Sequence, residues 1–121
     1  MEDTVRTIEE AKGIVRAFCE ERNWDRFHNP KDLAIGMATE SSELLQIFRF
    51  KTPEECSLML SDPDHRQRVC DELADVFYFV LRFSQMNGID LYEALERKIG
   101  KNGEKYPVSL ARDSNKKYDE F

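Results

Sequence analysis

Apolar side chains recur along this chain at the three- and four-residue spacing of amphipathic helices, with polar breakers between the segments. Ile8, Ala11, Val15 and Phe18 make a first stripe, in a helix that Thr4 can cap and that runs to about Asn23. Asn29-Pro30 is a second start, because asparagine caps well and proline is tolerated in a first turn; this helix runs to about Phe50. Thr52-Pro53-Glu54-Glu55 repeats the start signal with a capping box from Thr52 to Glu55. It predicts a short helix or turn that ends at Ser61-Asp62-Pro63. A long helix follows from about Pro63 to Asn87 and stops at Gly88. Asp90 with Glu93 opens a further helix to about Lys101. From Tyr106 onward the period is lost, and Pro107 and mixed charge predict an extended tail, laid on a neighbouring subunit.

No segment alternates as a half-buried strand would, so the expected class is all-α, a four-helix bundle-type fold in one domain over residues 1–121. Between Leu73 and Met86 the long helix is apolar almost all round, through Val76, Phe77, Phe79, Val80, Leu81 and Phe83. Such a helix is buried on every side. A chain of 121 residues has little material to cover it, which predicts self-association.

Composition narrows the function. With 40% hydrophobic and 35% charged residues, and only 5 glycines and 4 prolines, the chain suits long helices better than a turn-rich sheet. No apolar run reaches the ~20 residues a membrane span needs. The Met-Glu-Asp-Thr start lacks the basic and apolar regions of a signal peptide. Cys19, Cys56 and Cys70 have no CxxC spacing, and read as reduced, mostly buried thiols of a cytoplasmic protein. A net charge of −6 argues against long nucleic acids, whose binding depends on cationic neutralisation of phosphates. A polyanionic ligand would then be small, and a metal would mediate its binding.

The anomaly is where certain acids fall. On a wheel of about 100° per residue, Glu40 lies within about 60° of Leu33, Gly36, Met37, Leu44 and Ile47. Glu43 stands at the edge of that stripe, while Lys31, Ser42, Gln46 and Arg49 mark the polar side. Glu72 repeats the pattern among Val69, Val76, Phe79 and Phe83, with Asp75 one turn on. Pairs spaced i, i+3 point the same way, so two pairs on packed helices would bring four carboxylates toward one point. Unpaired, they would repel and lose solvation. Either basic partners, for which Arg49, Arg68 and Arg82 are available, or a hard divalent cation such as Mg²⁺ resolves the conflict. An isolated ExxE usually marks only a solvated face; two such pairs, both on apolar stripes, point to a metal–phosphate site.

These residues resemble a known family. Glu40-x-x-Glu43, 28 intervening residues and Glu72-x-x-Asp75 are similar to the acids of the MazG-like nucleotide pyrophosphohydrolases, within the all-alpha NTP pyrophosphatase superfamily. The dCTP pyrophosphatase subgroup looks nearest in pattern. Glu21-Arg-Asn-Trp24-Asp-Arg-Phe27-His28-Asn-Pro30 resembles its exit from the first helix, and Phe48-Arg-Phe50-Lys51-Thr52 and Asp71-Glu-Leu-Ala-Asp75-Val76 resemble the segments around its acids. Lys98-x-x-x-Asn102-x-x-Lys105-Tyr106-Pro107, followed by Lys116-Lys117-Tyr118, resembles its C-terminal signature. The similarity covers nearly the whole chain.

The resemblance implies a four-helix fold assembled as a homotetramer, or a dimer, with Mg²⁺ (Mn²⁺ as substitute) held by Glu40, Glu43, Glu72 and Asp75. It implies hydrolysis of a nucleoside triphosphate, with dCTP or a modified dCTP among the candidates, to monophosphate and pyrophosphate as nucleotide-pool housecleaning. Glu40 or Glu43 would serve as catalytic base. Lys98, Asn102, Lys105 and Tyr106 would donate to the phosphates. Trp24, Phe27, His28, Phe50 and Phe79 would line the base pocket, since aromatic faces stack on nucleobases. The pattern departs where the subgroup commonly carries tryptophan, here Phe50, and tyrosine, here Phe79; Val15 stands near a position that can carry histidine. Fewer polar handles weaken discrimination between bases.

Two rivals are set aside or kept. A carboxylate-bridged di-iron bundle needs Glu-x-x-His pairs, and neither His28 nor His65 has a glutamate three residues before it. A non-catalytic helical oligomer that binds nucleotide or protein without turnover stays open.

Overall fold

Short polar side chains set where each helix begins. The computed structural model describes every residue except Met1 and Thr4, so the expected cap at Thr4 lies outside the described residues. Helix α1 spans Ile8–Glu21, and its capping box is Thr7 with Glu10. Asn29 caps α2, Pro30–Phe48, by accepting from the Asp32 amide at 2.9 Å. Thr52 and Glu55 exchange both hydrogen bonds of their capping box and open α3, Pro53–Met59. Asp62 does the same for α4, Pro63–Met86, through the His65 amide. Gly88 follows α4 in the left-handed conformation (φ 62°), the geometry that ends helices and that glycine adopts without a Cβ penalty.

The chain divides into two compact units, Met1–Gly88 and Ile89–Phe121. In the first, α4 packs most extensively on α2 and also on α1. Val15, Cys19, Leu33, Ile47 and Leu81 are its buried apolar residues. The second unit contains α5, Leu91–Lys105, capped by Asp90 through the Glu93 amide, and α6, Val108–Ala111. No strand occurs among the described residues.

Four expectations need correction. Helix α1 starts at Ile8, since Thr7 with Glu10 supplies the reciprocal cap. Helix α5 runs one turn beyond Lys101 because neither Asn102 nor Gly103 carries a competing cap, and it closes with the Tyr106 amide on the Asn102 carbonyl. The tail is not extended: α6 forms after Pro107, a 3-10 turn follows at Tyr118–Glu120, and Tyr118 and Phe121 set their rings edge-on to Tyr106 at 6.0 and 5.9 Å. Of the three free cysteines only Cys19 is buried, and Cys70 is exposed on α4.

Within the single chain α4 is not covered all round. Leu81 is buried, Val76, Phe79, Val80 and Phe83 are half-buried, and Leu73 and Phe77 expose about half their surface (56% and 50%). Leu45 on α2 is 64% exposed.

Candidate active site

Helices α2 and α4 come together where a side chain is missing. A Cβ at Gly36 would collide with the ring of Phe79, so glycine permits an approach that any larger residue would block. One turn further along α2 stands Glu40, facing Glu72 of α4. The carboxylate oxygens of Glu40, Glu43 and Glu72 lie within 4.8 Å of one another. Asp75 is outside that trio, but its charge acts on both Glu40 and Glu72.

Electrostatics and burial conflict here. Glu40 Oε2 and Glu72 Oε2 are shut off from solvent without a hydrogen-bond partner. Burial, followed by contact with the Glu43 carboxylate and by the charges of Asp75 and Glu72, pushes the Glu40 carboxyl up to about 7. Glu72 is raised by burial first, then by Glu43 and Asp75, with Arg68 pulling the other way. The basic partners weighed from sequence do not neutralise the cluster. Arg82 pairs with Asp25, Arg49 lies over the ring of Phe50, and Arg68 forms no ion pair among the described residues. Buried carboxylates without a cationic partner are costly, and hard divalent cations take ligand sets of this kind. The donor set therefore fits such an ion: oxygen-only, anionic, and with two orphaned oxygens.

Beside the acids runs a chain of edge-on rings. Phe18 meets Trp24 at 5.7 Å and Tyr78 at 6.2 Å, Tyr78 meets Phe79 at 5.0 Å, and Trp24 meets the His28 imidazole at 6.1 Å. Offset and edge-on packing of this kind is favoured by the ring quadrupoles. Trp24 and His28 flank the short 3-10 turn Asp25–Phe27 that follows α1. Arg82, fully buried on α4, holds that turn: its Nε–H donates to His28 Nδ1 at 2.8 Å and its Nη2–H to Asp25 Oδ1.

A model of the MazG-like family matches residues 35–121. The chain belongs to the MazG-like family. This MazG-like protein is 32% identical to human dCTP pyrophosphatase 1 over 115 residues, which is 95% of this chain and 68% of that protein. The mouse dCTP pyrophosphatase 1 is 31% identical over the same share of each. The fold is also similar to the crystal structure of a pyrophosphatase from Archaeoglobus fulgidus DSM 4304, with a TM-score of 0.78 and 33% identity. That match covers 88% of this chain and 98% of the other.

Not every expected pocket residue of the MazG-like protein joins the ring chain. Trp24, His28 and Phe79 do. Phe27 is 54% exposed under Arg26, and Phe50 is 90% exposed under Arg49. Phe50 sits at φ 65°, an uncommon conformation for a bulky residue, at the turn from α2 into α3. In the second unit, Lys98 lines an open groove of about 500 Å³ along α5 with Arg97 and Lys101, and Asn102 is half-buried. Lys105 places Nζ over the Tyr118 ring at 4.9 Å, and Tyr106 packs against the tail aromatics.

Sequence reasoning placed neither Phe18 and Tyr78 in the ring chain nor Asp25 against Arg82. Tyr78 is hidden inside an apolar run, where its hydroxyl meets the Cys19 thiol at 3.1 Å. Asp25 stands within the Trp24–His28 stretch, but its partner is 57 residues away, and no local spacing announces it.

Proposed function

We propose that this chain hydrolyses a nucleoside triphosphate to the monophosphate and pyrophosphate at the cluster Glu40, Glu43, Glu72 and Asp75. The observation that carries the reading is the convergence of three carboxylates with two buried, unpartnered oxygens. Family membership and the pyrophosphatases to which the chain is similar support the reaction class. The four acids would hold Mg²⁺, or Mn²⁺ in its place. When bound, such an ion neutralises phosphate oxygens and acidifies a water molecule.

The chain's own residues then do the following. Glu40 or Glu43 takes the proton of the attacking water; for Glu40, a carboxyl raised toward neutrality is matched to that task. The water oxygen bonds to the α-phosphorus, the bond to the α–β bridging oxygen breaks, and pyrophosphate leaves with that oxygen. Trp24, Phe79, Tyr78 and Phe18 supply ring faces and edges for the base, with His28 as a polar contact. Phe27 and Phe50, exposed in the single chain, would join the pocket on assembly of a homotetramer. The exposed apolar residues Leu45, Leu73 and Phe77 support that assembly. In the second unit, Lys98, Asn102, Lys105 and Tyr106 carry donors of the kind that phosphates accept from. The leading substrates are dCTP and 5-substituted dCTP, handled in the cytoplasm as nucleotide-pool housecleaning. No helix is long and apolar enough to cross a membrane among the described residues.

The test is product analysis. The protein is incubated with canonical and modified (deoxy)nucleoside triphosphates, with Mg²⁺ and with chelator, and the products are resolved by ion exchange. Monophosphate plus pyrophosphate, formed only with the metal, is the expected result. Diphosphate plus orthophosphate, or no turnover by folded protein, would remove the reading.

A further inference from the structure

Arg82 is an unusual residue to find at zero exposure, on the helix that packs against both α1 and α2. Burying a guanidinium demands compensation of its charge and use of its donors. Three acceptors provide this: Asp25 Oδ1, Gln85 Oε1 at 2.6 Å and His28 Nδ1 at 2.8 Å. Two of them belong to the turn that carries Trp24.

The bond to His28 has a chemical consequence. A guanidinium has donors and no acceptor, so the ring nitrogen facing it must carry a lone pair. The single proton of the neutral imidazole is then on Nε2. A protonated His28 would set N–H against N–H and a positive charge beside Arg82. Burial and the Arg82 charge accordingly hold His28 below its ordinary pKa, against a weaker opposing pull from Asp25. The ring itself is fixed next to Trp24, in the row of aromatic side chains that runs through Phe18 and Tyr78 to Phe79.

We propose that Arg82 is a positioning residue for base recognition: by donating from Nε to His28 Nδ1, it locks His28 as the neutral Nε2–H tautomer. His28 thereby presents one hydrogen-bond donor beside Trp24, suited to an acceptor atom on the nucleobase, a ring carbonyl oxygen or an unprotonated ring nitrogen. A base that turns an exocyclic amine or ring N–H toward His28 meets donor against donor and is rejected. Asp25 serves as counter-charge for the arginine and keeps the lock from costing an unpaired buried cation. This inference rests on the reading of the chain as a nucleotide hydrolase and gives that site its specificity device.

Two measurements test it. The chain has only two histidines, so nitrogen-15 NMR of the full-length protein, with His65→Gln for assignment, reads the His28 tautomer directly. It also has a single tryptophan, Trp24, whose fluorescence reports binding of α,β-imido triphosphates that differ only in the base. Wild-type protein should show the Nε2–H form alone. The double variant Asp25→Asn/Arg82→Met, which leaves no unpaired charge, should show mixed tautomers. Its spread of Kd across bases should shrink by about tenfold, the scale of one hydrogen bond. In turnover the loss should fall on KM more than on kcat.

A mixed or Nδ1–H tautomer in the wild type overturns the proposal without any variant, as does a folded variant that keeps the wild-type ranking of bases. If the double variant fails to fold by circular dichroism, Arg82→Gln, whose amide offers an acceptor as well as donors and so imposes neither tautomer, carries the same expectation. Base discrimination that is lost in the variant, in a wild type that hydrolyses no nucleotide, supports the lock and removes the hydrolase reading. Failure to bind any nucleotide overturns both.

Discussion

The ring of Phe79 on α4 fills the space that a side chain at Gly36 on α2 would occupy. The contact sets the spacing of the two helices that carry Glu40, Glu43, Glu72 and Asp75. It also joins the ring chain to the acids, because Phe79 packs edge-on against Tyr78 at 5.0 Å.

Gly36→Ala should therefore destabilise the protein, although alanine is the better helix former by about 1 kcal/mol. Overpacking of a filled contact costs about 1–3 kcal/mol, so a net loss near 1 kcal/mol is expected in urea denaturation. Turnover should fall too, as α2 is pushed away from α4. Adding Phe79→Leu should recover part of the stability, and a double-mutant cycle without coupling would refute the contact's role.

Glu43→Gln should leave helix content unchanged while lowering turnover by about 100-fold or more, the usual scale for loss of a proton-transfer group. Glu43 is exposed at the edge of the cluster, so its replacement does not disturb the core. Wild-type activity in this variant would dissociate the chemistry from the four acids.

Stability should fall as pH rises in chelator. The folded state holds a proton on Glu40 up to about 7, whereas an ordinary glutamate loses it near 4.5. Between those values the folded protein binds more protons than the unfolded chain, so unfolding becomes easier with increasing pH. Glu72, also raised, acts in the same direction. Thermal melts from about pH 4.5 to 8 should show Tm decreasing, with a shallower slope in Glu40→Gln. Added Mg²⁺ should reverse the loss at the alkaline end of that range. Equal slopes for wild type and Glu40→Gln would mean that Glu40 does not titrate in this window.

Trp24→Ala should raise KM more than it lowers kcat. The indole is 37% exposed and touches Phe18 and His28, but none of the acids is among its ring contacts. Steady-state kinetics across several triphosphates would check this, and an unchanged KM for all of them would reduce Trp24 to a packing residue.

The local features of this protein were legible in its sequence. Asn29-Pro30, Thr52 with Glu55, Asp62-Pro63 and Gly88 mark helix ends through hydrogen bonds and dihedral angles that span only a few residues, and all four stand where expected. The i, i+3 acid pairs followed from helical period alone, because a charge on an apolar stripe is a contradiction that the helical wheel itself displays. Tertiary structure decided what distance in sequence concealed. It set which cation pairs with which acid: Arg82 reaches Asp25 across 57 residues, and so leaves the carboxylate cluster without that partner. It separated Phe79, inside the ring chain, from Phe50, left in solvent by its left-handed turn. It folded the tail aromatics back on Tyr106. Pairing between remote residues depends on how helices dock, and docking is governed by shape and summed contacts that no single window of sequence contains.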